Sequence, residues 1–349
     1  MEQQKQRIEF IDLAKGICIC LVVYNHIVFH YPEVYSPLHD MFYGIRMPLY
    51  FFLSGLFFKP YDGFWDFTVR KINKLLVPFV AFHFLTAVVW MVATDLLAHR
   101  FALQTSWGYV VNFIVGPYRE QVTNQPIWFL LCLFEMNLIF VAIICALNRF
   151  GQSVRIIGLL LITFLIGAVG YIVGAQKLSW PMYIDTSMTA LPFFSMGFIV
   201  RKYTKFLLPN RFDRYNIFFC AALAVMSFVL LTGDAEFWCN RYNGLNIMQL
   251  YVGCLAGLLA ILLLSKMMRH IPLVSYFGRY SIIILVTHMF LFPYVQRAVD
   301  YLRLPVILML IITFICTMLA YLVVIPLFKR YLPHITAQKD LFRLLGKRA

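Results

Sequence analysis

Residues 9–30 read EFIDLAKGICICLVVYNHIVFH, and this stretch decides the fold. It is long and apolar enough to cross a bilayer as one helix, which needs about 20 mostly apolar residues. It nevertheless carries Asp12, Lys15 and His26. Ionisable groups within a membrane are costly and face a protein interior or a water-filled cavity. The stretch therefore predicts a helix surrounded by other membrane helices.

The composition of the whole chain supports a membrane bundle. Hydrophobic residues make up 62% of the 349 positions and charged residues only 13%, so lipid must cover much of the exterior. We predict an all-α, polytopic transmembrane bundle at 1–333 and a short basic tail at 334–349. The predicted spans are 9–30, 42–59, 75–95, 127–147, 155–173, 185–200, 215–232, 247–265, 279–296 and 304–328.

The distribution of positive charge predicts the orientation of these ten helices. With the N-terminus in the cytoplasm, 22 of the 30 Lys and Arg residues fall in cytoplasmic flanks and six in the outer ones. This bias follows the positive-inside rule and places both termini in the cytoplasm. The net charge of +14 is therefore a topology signal, and it does not indicate a nucleic-acid partner.

The first predicted helix places its ionisable residues in a pattern. Lys15 and His26 share one helix face, about 16 Å apart along the axis, and Asp12 lies one turn before Lys15. Asp12 and Lys15 are consistent with a structural ion pair or with a site. His26 is consistent with a buried core histidine or with a catalytic base. His30 follows one turn later, but no third ligand stands at a suitable spacing, so we predict no metal site.

The next two segments add further cations. Arg46 precedes an aromatic run that ends in Ser54 and Gly55, and a guanidinium near the bilayer needs a polar partner. Small residues such as Ser54 and Gly55 allow close helix packing. A basic cluster follows at the cytoplasmic end. It is explained by the positive-inside bias or by phosphate binding, and it consists of Arg70, Lys71 and Lys74.

Two further polar residues lie within predicted spans, Glu135 and His288. Each is expected to face the bundle interior, with a structural hydrogen bond or a site role as the alternatives. The eight cysteines form no CxxC pair and are interpreted as small apolar residues. The outer segment 96–126, with Trp107 and Tyr109, is long enough for an interfacial helix.

At these positions the sequence resembles the acyltransferase-3 family of membrane acyltransferases, which includes bacterial O-acetylases of surface polysaccharides. The matching motifs span nearly the whole chain. They are Asp12-x-x-Lys15-Gly16 with His26, Met47-Pro48-Leu49-Tyr50-Phe51 followed by Ser54-Gly55, the basic cluster before Pro78, Trp128-Phe129-Leu130, and Gly278-Arg279-Tyr280-Ser281 leading to Thr287-His288. Lys stands where many members have Arg, at position 15 and in the basic cluster, which keeps the charge but removes the bidentate fork.

The resemblance implies a function for these residues. His26 would be the catalytic base or a transient acyl carrier, and Asp12 and Lys15 would belong to the same site. The basic cluster would bind acyl-CoA, most often acetyl-CoA, as a donor substrate with no bound cofactor. Arg46, Ser54, Trp128, Glu135 and His288 are further candidates. The acceptor would be a sugar or lipid-linked glycan outside the cytoplasm, reached from a bacterial inner membrane whose lipids surround the bundle.

Two other functions remain open at this point. A transporter or flippase of lipid-linked sugars also needs polar residues within the membrane. The sequence shows no internal repeat of the kind that marks many secondary transporters. A non-catalytic scaffold in a glycan-assembly complex would leave Lys15 and His26 without an evident purpose.

Overall fold

A computed structural model describes residues 8–61, 63–98, 111, 124–207 and 214–342. Twelve α-helices are found in these ranges: α1 (Glu9–Val28), α2 (Pro37–Leu56), α3 (Phe64–Lys71), α4 (Val77–Ala98), α5 (Trp128–Leu147), α6 (Gln152–Ala175), α7 (Ile184–Tyr203), α8 (Arg214–Leu230), α9 (Ile247–Met268), α10 (Pro272–Arg279), α11 (Ser281–Asp300) and α12 (Val306–Tyr331). A π-helical turn at Ile72–Leu76 joins α3 to α4. The strands β1 (Asp234–Glu236) and β2 (Arg241–Asn243) form an antiparallel hairpin.

Each of the ten predicted spans corresponds to a helix, so the all-α, multi-pass prediction is confirmed. Seven helical segments in the described residues are long and apolar enough to cross a membrane by length and composition alone. The boundaries differ at α2, which begins at Pro37 rather than near residue 42, so Arg46 lies near the middle of the helix. The predicted interfacial helix in 96–126 falls almost entirely outside the described residues.

α1 is a central helix of the bundle. It packs against α2, α9, α10, α11 and α12. Of its apolar span, 61% is buried, against 28% for α6 and for α12, whose outer faces are left for lipid. Side chains such as Leu165 and Val323, both more than 60% exposed, lie on those outer faces. The polar residues of α1 are therefore held inside protein, as their cost in lipid requires.

Glycines let α1 approach α10 closely. A Cβ atom on Gly16 would collide with the carbonyl oxygen of Val274, and one on Gly278 would collide with that of Asp12. Small residues at helix crossings allow such backbone contact. Because Gly16 follows Lys15 directly, this crossing holds the Lys15 end of α1 against α10.

α2 lies beside α1 and contains a proline at its centre. Pro48 has no backbone N–H, so the carbonyl oxygen of Gly44 loses its helical donor. The Cys254 thiol of α9 donates to that oxygen, with Sγ and O 3.4 Å apart. The Cys18 thiol of α1 donates to the carbonyl oxygen of Arg46, with Sγ and O 2.9 Å apart. These two contacts hold the Arg46 segment against its neighbouring helices.

The hairpin is held at the end of the bundle opposite Lys15. Asn240 occupies a left-handed conformation, with φ 55°. Its amide donates to the carbonyl oxygen of Gly170 over 2.9 Å, and its side-chain oxygen accepts from the hydroxyls of Thr189 and Tyr242. These buried hydrogen bonds fix the hairpin to α6 and α7.

Candidate active site

Two cavities lie on the same side of α1, one towards each end of the bundle. The cavity that contains Lys15, called here the inner cavity, has a volume of about 520 Å³ and opens at the end predicted to be cytoplasmic. The cavity that contains His26, called the outer cavity, has a volume of about 330 Å³ and lies beneath the hairpin. Lys15 and His26 are eleven positions apart in the sequence, which separates the two cavities by about 16 Å along the helix.

The inner cavity brings together five residues predicted for the site. They are Lys15, Ser54, Arg70, Lys71 and Lys74. Lys15 and Arg201 both lie over the Phe57 ring, with their charged groups 4.7 and 5.2 Å from its centroid. Neighbouring Gly55 has no room for a Cβ because the carbonyl oxygen of Phe194 occupies that space. Ser54 is thus placed at the cavity by a tight α2–α7 crossing.

The basic cluster lies where α3 passes into the π-helical turn. Arg70 donates through Nε to Asp66 over 3.1 Å and is 46% exposed. Lys71 lies beside the Phe58 and Phe67 rings, 5.9 and 5.4 Å from their centroids. π-turns of this kind are found disproportionately at functional sites. The basic cluster therefore lies at the mouth of the inner cavity, and the Phe58 and Phe67 rings pack against Lys71.

The C-terminal segment 332–342 forms part of the inner cavity, a feature that the sequence analysis did not predict. Lys74 donates through Nζ to the carbonyl oxygen of Ala337 at 2.8 Å and forms an ion pair with Asp340 at 3.2 Å. Asn73, 2% exposed, accepts hydrogen bonds from the backbone N–H groups of Leu341 and Phe342 through Oδ1 and donates to the carbonyl oxygen of Phe342. Asp340 is the one carboxylate in the described lining of this cavity.

The outer cavity brings together His26, Arg46 and Trp128. Arg46 is 7% exposed and stacks over Tyr43, with the guanidinium carbon 4.3 Å from the ring centroid. Its Nε has no hydrogen-bond partner among the described residues. A buried guanidinium with a spare donor is costly unless a ligand accepts from it. Trp128 begins α5, which the Asn124 amide ties to the Val286 carbonyl oxygen of α11 over 2.9 Å.

His288 lies behind His26. The centroids of the two imidazole rings are 5.0 Å apart, and the ring planes make an angle of 49°. His288 is fully buried, and its Nδ1 lies 2.9 Å from the carbonyl oxygen of Ile284. A carbonyl oxygen accepts a hydrogen bond, so the ring nitrogen next to it must carry the proton. We therefore assign the proton of the His288 imidazole to Nδ1 and the lone pair to Nε2. That Nε2 has no hydrogen-bond partner within the described residues.

An aromatic layer separates the two cavities. It consists of Tyr50, Phe51, Trp128 and Phe129. The Tyr50 and Phe129 rings are 5.3 Å apart, and Phe51 lies 5.2 Å from Phe129. Tyr50 lines the inner cavity and Trp128 lines the outer one, so these aromatic side chains lie between the two cavities.

Asp12 and Glu135 lie apart from the linings of both cavities. Asp12 is 9% exposed and lies in the first turn of α1, where that helix crosses α10. Glu135 accepts from the Ser187 hydroxyl at 2.9 Å and from the Tyr183 backbone N–H at 3.3 Å, which are structural hydrogen bonds between α5 and the start of α7. His30 lines the outer cavity, and no group of three potential metal ligands occurs in the described part of the chain.

The hairpin lines one side of the outer cavity, called here the hairpin wall, and this feature was not predicted from the sequence either. The residues concerned are Ala235, Glu236, Phe237 and Trp238, of which Glu236 and Trp238 are partly exposed. A short polar segment between two predicted spans carries no periodic signal, so nothing in its pattern indicated a strand pair. The one available hint was an acidic and aromatic run on the outer side, opposite the cationic cytoplasmic loops.

Comparison with known proteins accords with this geometry. The model of the acyltransferase-3 family, described as an acyltransferase domain, matches residues 8–328. No curated protein and no solved structure matches the chain. The family match contains α1 with Lys15 and His26, the outer cavity, the hairpin, nearly all of α12 and the described lining of the inner cavity except Asp340. The chain therefore belongs to the acyltransferase-3 family, and it is a multi-pass membrane acyltransferase.

Proposed function

We propose that this protein transfers an acyl group, acetyl in the simplest case, from cytoplasmic acyl-CoA to a hydroxyl of a sugar or lipid-linked glycan on the outer side of a bacterial inner membrane. One observation carries the proposal. A single helix, α1, presents Lys15 to a cationic cavity at one end and His26 to a second cavity at the other. Such an arrangement suits a charged donor and an acceptor that arrive from opposite sides.

The inner cavity is the donor side in this proposal. Acyl-CoA carries several phosphate groups and does not cross a bilayer. Lys15, Lys71 and Lys74 are cations that bind phosphate oxygens through charge-assisted hydrogen bonds, and Arg70 adds a guanidinium at the mouth. The narrow, uncharged pantetheine arm then passes the aromatic layer at Tyr50 and Phe129 and brings the thioester to the outer cavity.

The outer cavity supplies a base and an oxyanion donor. His26 takes the proton from the acceptor hydroxyl as its oxygen attacks the thioester carbonyl carbon. Arg46 donates to the carbonyl oxygen, which carries negative charge in the tetrahedral intermediate. Collapse of that intermediate breaks the C–S bond, and the proton held by His26 passes to the departing thiolate. The products are an acyl ester of the acceptor and free coenzyme A.

His288 completes the arrangement as a positioning residue. Its Nε2 has no hydrogen-bond partner among the described residues, and its ring centroid is 5.0 Å from that of His26. A hydrogen bond from a His26 N–H to this Nε2 in the working enzyme would leave the other His26 nitrogen unprotonated and able to act as the base.

Acyl transfer by purified protein in nanodiscs tests the proposal. The assay follows radiolabel from [acetyl-14C]acetyl-CoA into glycans extracted from membranes of the native host. We expect wild type to label a glycan and His26→Ala to lose about 10²–10⁴-fold in rate, the usual contribution of a general base. Full activity of a correctly folded His26→Ala protein would exclude His26 as the base.

Donor binding is measured separately, by calorimetry with coenzyme A. Lys71→Gln together with Lys74→Gln should weaken binding by about tenfold or more, since charge-assisted contacts are each worth about 1.5–3 kcal/mol. Lys205→Gln, an exposed cation at the same end but outside the inner cavity, is the matched control. Glycan movement across the membrane without any dependence on acyl-CoA would instead support the flippase.

A further inference from the structure

We propose that the hairpin wall of the outer cavity is an acceptor subsite that selects an uncharged, hydroxyl-rich ring, with Glu236 and Trp238 as its principal contacts. This inference rests on the proposed function, because it identifies the chemical class of the acceptor for the same site. It concerns residues in a segment to which neither the sequence motifs nor the proposed reaction assigns a role.

The position of the hairpin is the first argument. Glu236 and Trp238 line the same cavity as His26 and Arg46, so a molecule bound against them lies next to the proposed base. The hairpin is held there by the buried hydrogen bonds of Asn240 and by the Thr186 hydroxyl, which donates to the Phe237 carbonyl oxygen over 3.0 Å. Its side chains therefore present a preformed surface, as small-molecule sites usually do.

The chemistry of the wall is the second argument. Trp128 and Trp238 place two indole rings in a cavity that also contains one carboxylate, a combination of apolar surface with few polar groups. The C–H faces of a sugar ring pack on indole, and its hydroxyls donate to a carboxylate. Glu236 has about four lone-pair positions, and the Cys239 thiol uses one of them at 3.2 Å.

The unused donor of Arg46 is an independent sign of a ligand. Arg46 lines the outer cavity, and its Nε is buried and lacks a partner among the residues described. An acyl or hydroxyl oxygen in the cavity would accept from it. Arg46 therefore provides a hydrogen-bond donor for an oxygen atom of a ligand in the outer cavity, and the hairpin lines the same cavity.

The charge around the outer cavity argues that the ring is uncharged. Glu236 lies in the wall, and Asp234 and Asp40 lie within electrostatic reach of each other at the same end. Arg46 is the only Lys or Arg in the described lining, and Arg241, the hairpin partner of Glu236, is exposed and lies outside that lining. A uronate or phosphorylated ring would bring like charge against Glu236, which disfavours binding. The inner cavity, with four cations, has the opposite preference.

The test uses the transfer of radiolabel from acetyl-CoA to glycans, followed by a separation of the labelled glycans by charge. After the reaction, glycans are released from lipid carriers by mild acid and divided by anion exchange into neutral and anionic pools. We expect wild type to place at least about ten times more label in the neutral pool. Label that is confined to the anionic pool would overturn the inference.

Variants of Glu236 and Trp238 test whether these side chains determine the preference for neutral glycans. Glu236→Lys is expected to reduce labelling of the neutral pool by about tenfold or more, and Glu33→Lys, exposed at the same end but outside the cavity, is the charge-matched control. Trp238→Ala is compared with Trp65→Ala, since Trp65 is 73% exposed outside both cavities. Wild-type labelling by Glu236→Lys and Trp238→Ala would refute the subsite.

Donor binding distinguishes the two possible failures. Coenzyme A binding by calorimetry should be the same in Glu236→Lys as in wild type, which also shows that the variant is folded. If the wild type neither binds coenzyme A nor labels any pool, the proposed function itself is wrong and the subsite is rejected with it. If it binds donor and labels only anionic glycans, the subsite alone is wrong.

Discussion

His26 and His288 come from helices far apart in the sequence, yet their ring centroids are 5.0 Å apart. α1 packs directly against α11, which makes this contact possible. His288 is fully buried and is held by the Ile284 carbonyl oxygen, whereas His26 lines the outer cavity. One ring is fixed and the other lines a cavity, which is the geometry expected for the proposed base and a partner that orients it.

His288→Phe should therefore reduce kcat while leaving the KM for acetyl-CoA near its wild-type value. Phenylalanine fills the space but offers no lone pair to His26. We expect a loss of about 10–100-fold, below the full contribution of the base. The measurement is steady-state labelling across a pH series, in which the dependence on pH should also change.

A conservative variant separates positioning from packing. His288→Gln keeps a side-chain acceptor and should recover part of the rate lost in His288→Phe. If both variants lower the rate equally and with an unchanged pH profile, His288 serves only the packing between α1 and α11.

Arg46→Gln should lower the rate of acyl transfer by about 10²–10³-fold, the usual effect of removing a donor to an oxyanion. Coenzyme A binding should be unaffected because Arg46 lies in the outer cavity and not in the inner one. Single-turnover labelling with saturating donor measures the chemical step directly. Arg297→Gln, an exposed cation on α11, is the control, and an equal loss in both variants would contradict the assignment.

The helices and the ionisable residues of the cavities could be predicted from the sequence for one reason. Apolar runs of about 20 residues have few alternatives to a membrane helix, and a charge inside such a run stands out. Lys15, His26 and Arg46 were found in this way. The contact between His26 and His288 could not be predicted in this way. Helical periodicity shows on which side of its helix a residue lies, but it does not show which other helix packs against that side.

The other missed features depend on contacts between distant segments. Lys74 bonds to Ala337 across 263 residues of sequence, and no local pattern marks Asp340 as part of the inner cavity. The hairpin at Glu236 is too short for an alternating pattern to indicate strands. Its position depends on the buried amide of Asn240, which only the packed bundle reveals.

Asp340→Asn should strengthen the binding of coenzyme A. In the structure Asp340 is paired with Lys74 at 3.2 Å, so a donor phosphate must compete with its carboxylate for that cation. Both side chains are nearly half exposed, and pairs of this kind contribute about 0.2–1 kcal/mol. We expect the Kd to fall about two- to fivefold, as measured by calorimetry at low salt.

The comparison variant for Asp340 is Asp300→Asn, at the far end of α11 beside Tyr31. It removes the same charge from the protein without touching the inner cavity and should leave the Kd unchanged. Equal tightening by both variants would mean that only the net charge matters and that Asp340 does not compete with the donor.

The aromatic layer lies on the path of the donor thioester to His26 in the proposed reaction. Phe129 lies 5.3 Å from Tyr50 and 5.2 Å from Phe51, and it is 4% exposed. Phe129→Trp adds bulk to a packed layer and should slow acyl transfer while coenzyme A still binds the inner cavity. Phe129→Ala removes the barrier and should admit water, so that coenzyme A is released without labelled glycan. A thiol assay with and without acceptor measures both effects. If Phe129→Trp transfers at the wild-type rate and Phe129→Ala shows no added hydrolysis, the thioester reaches His26 by a route that avoids this layer.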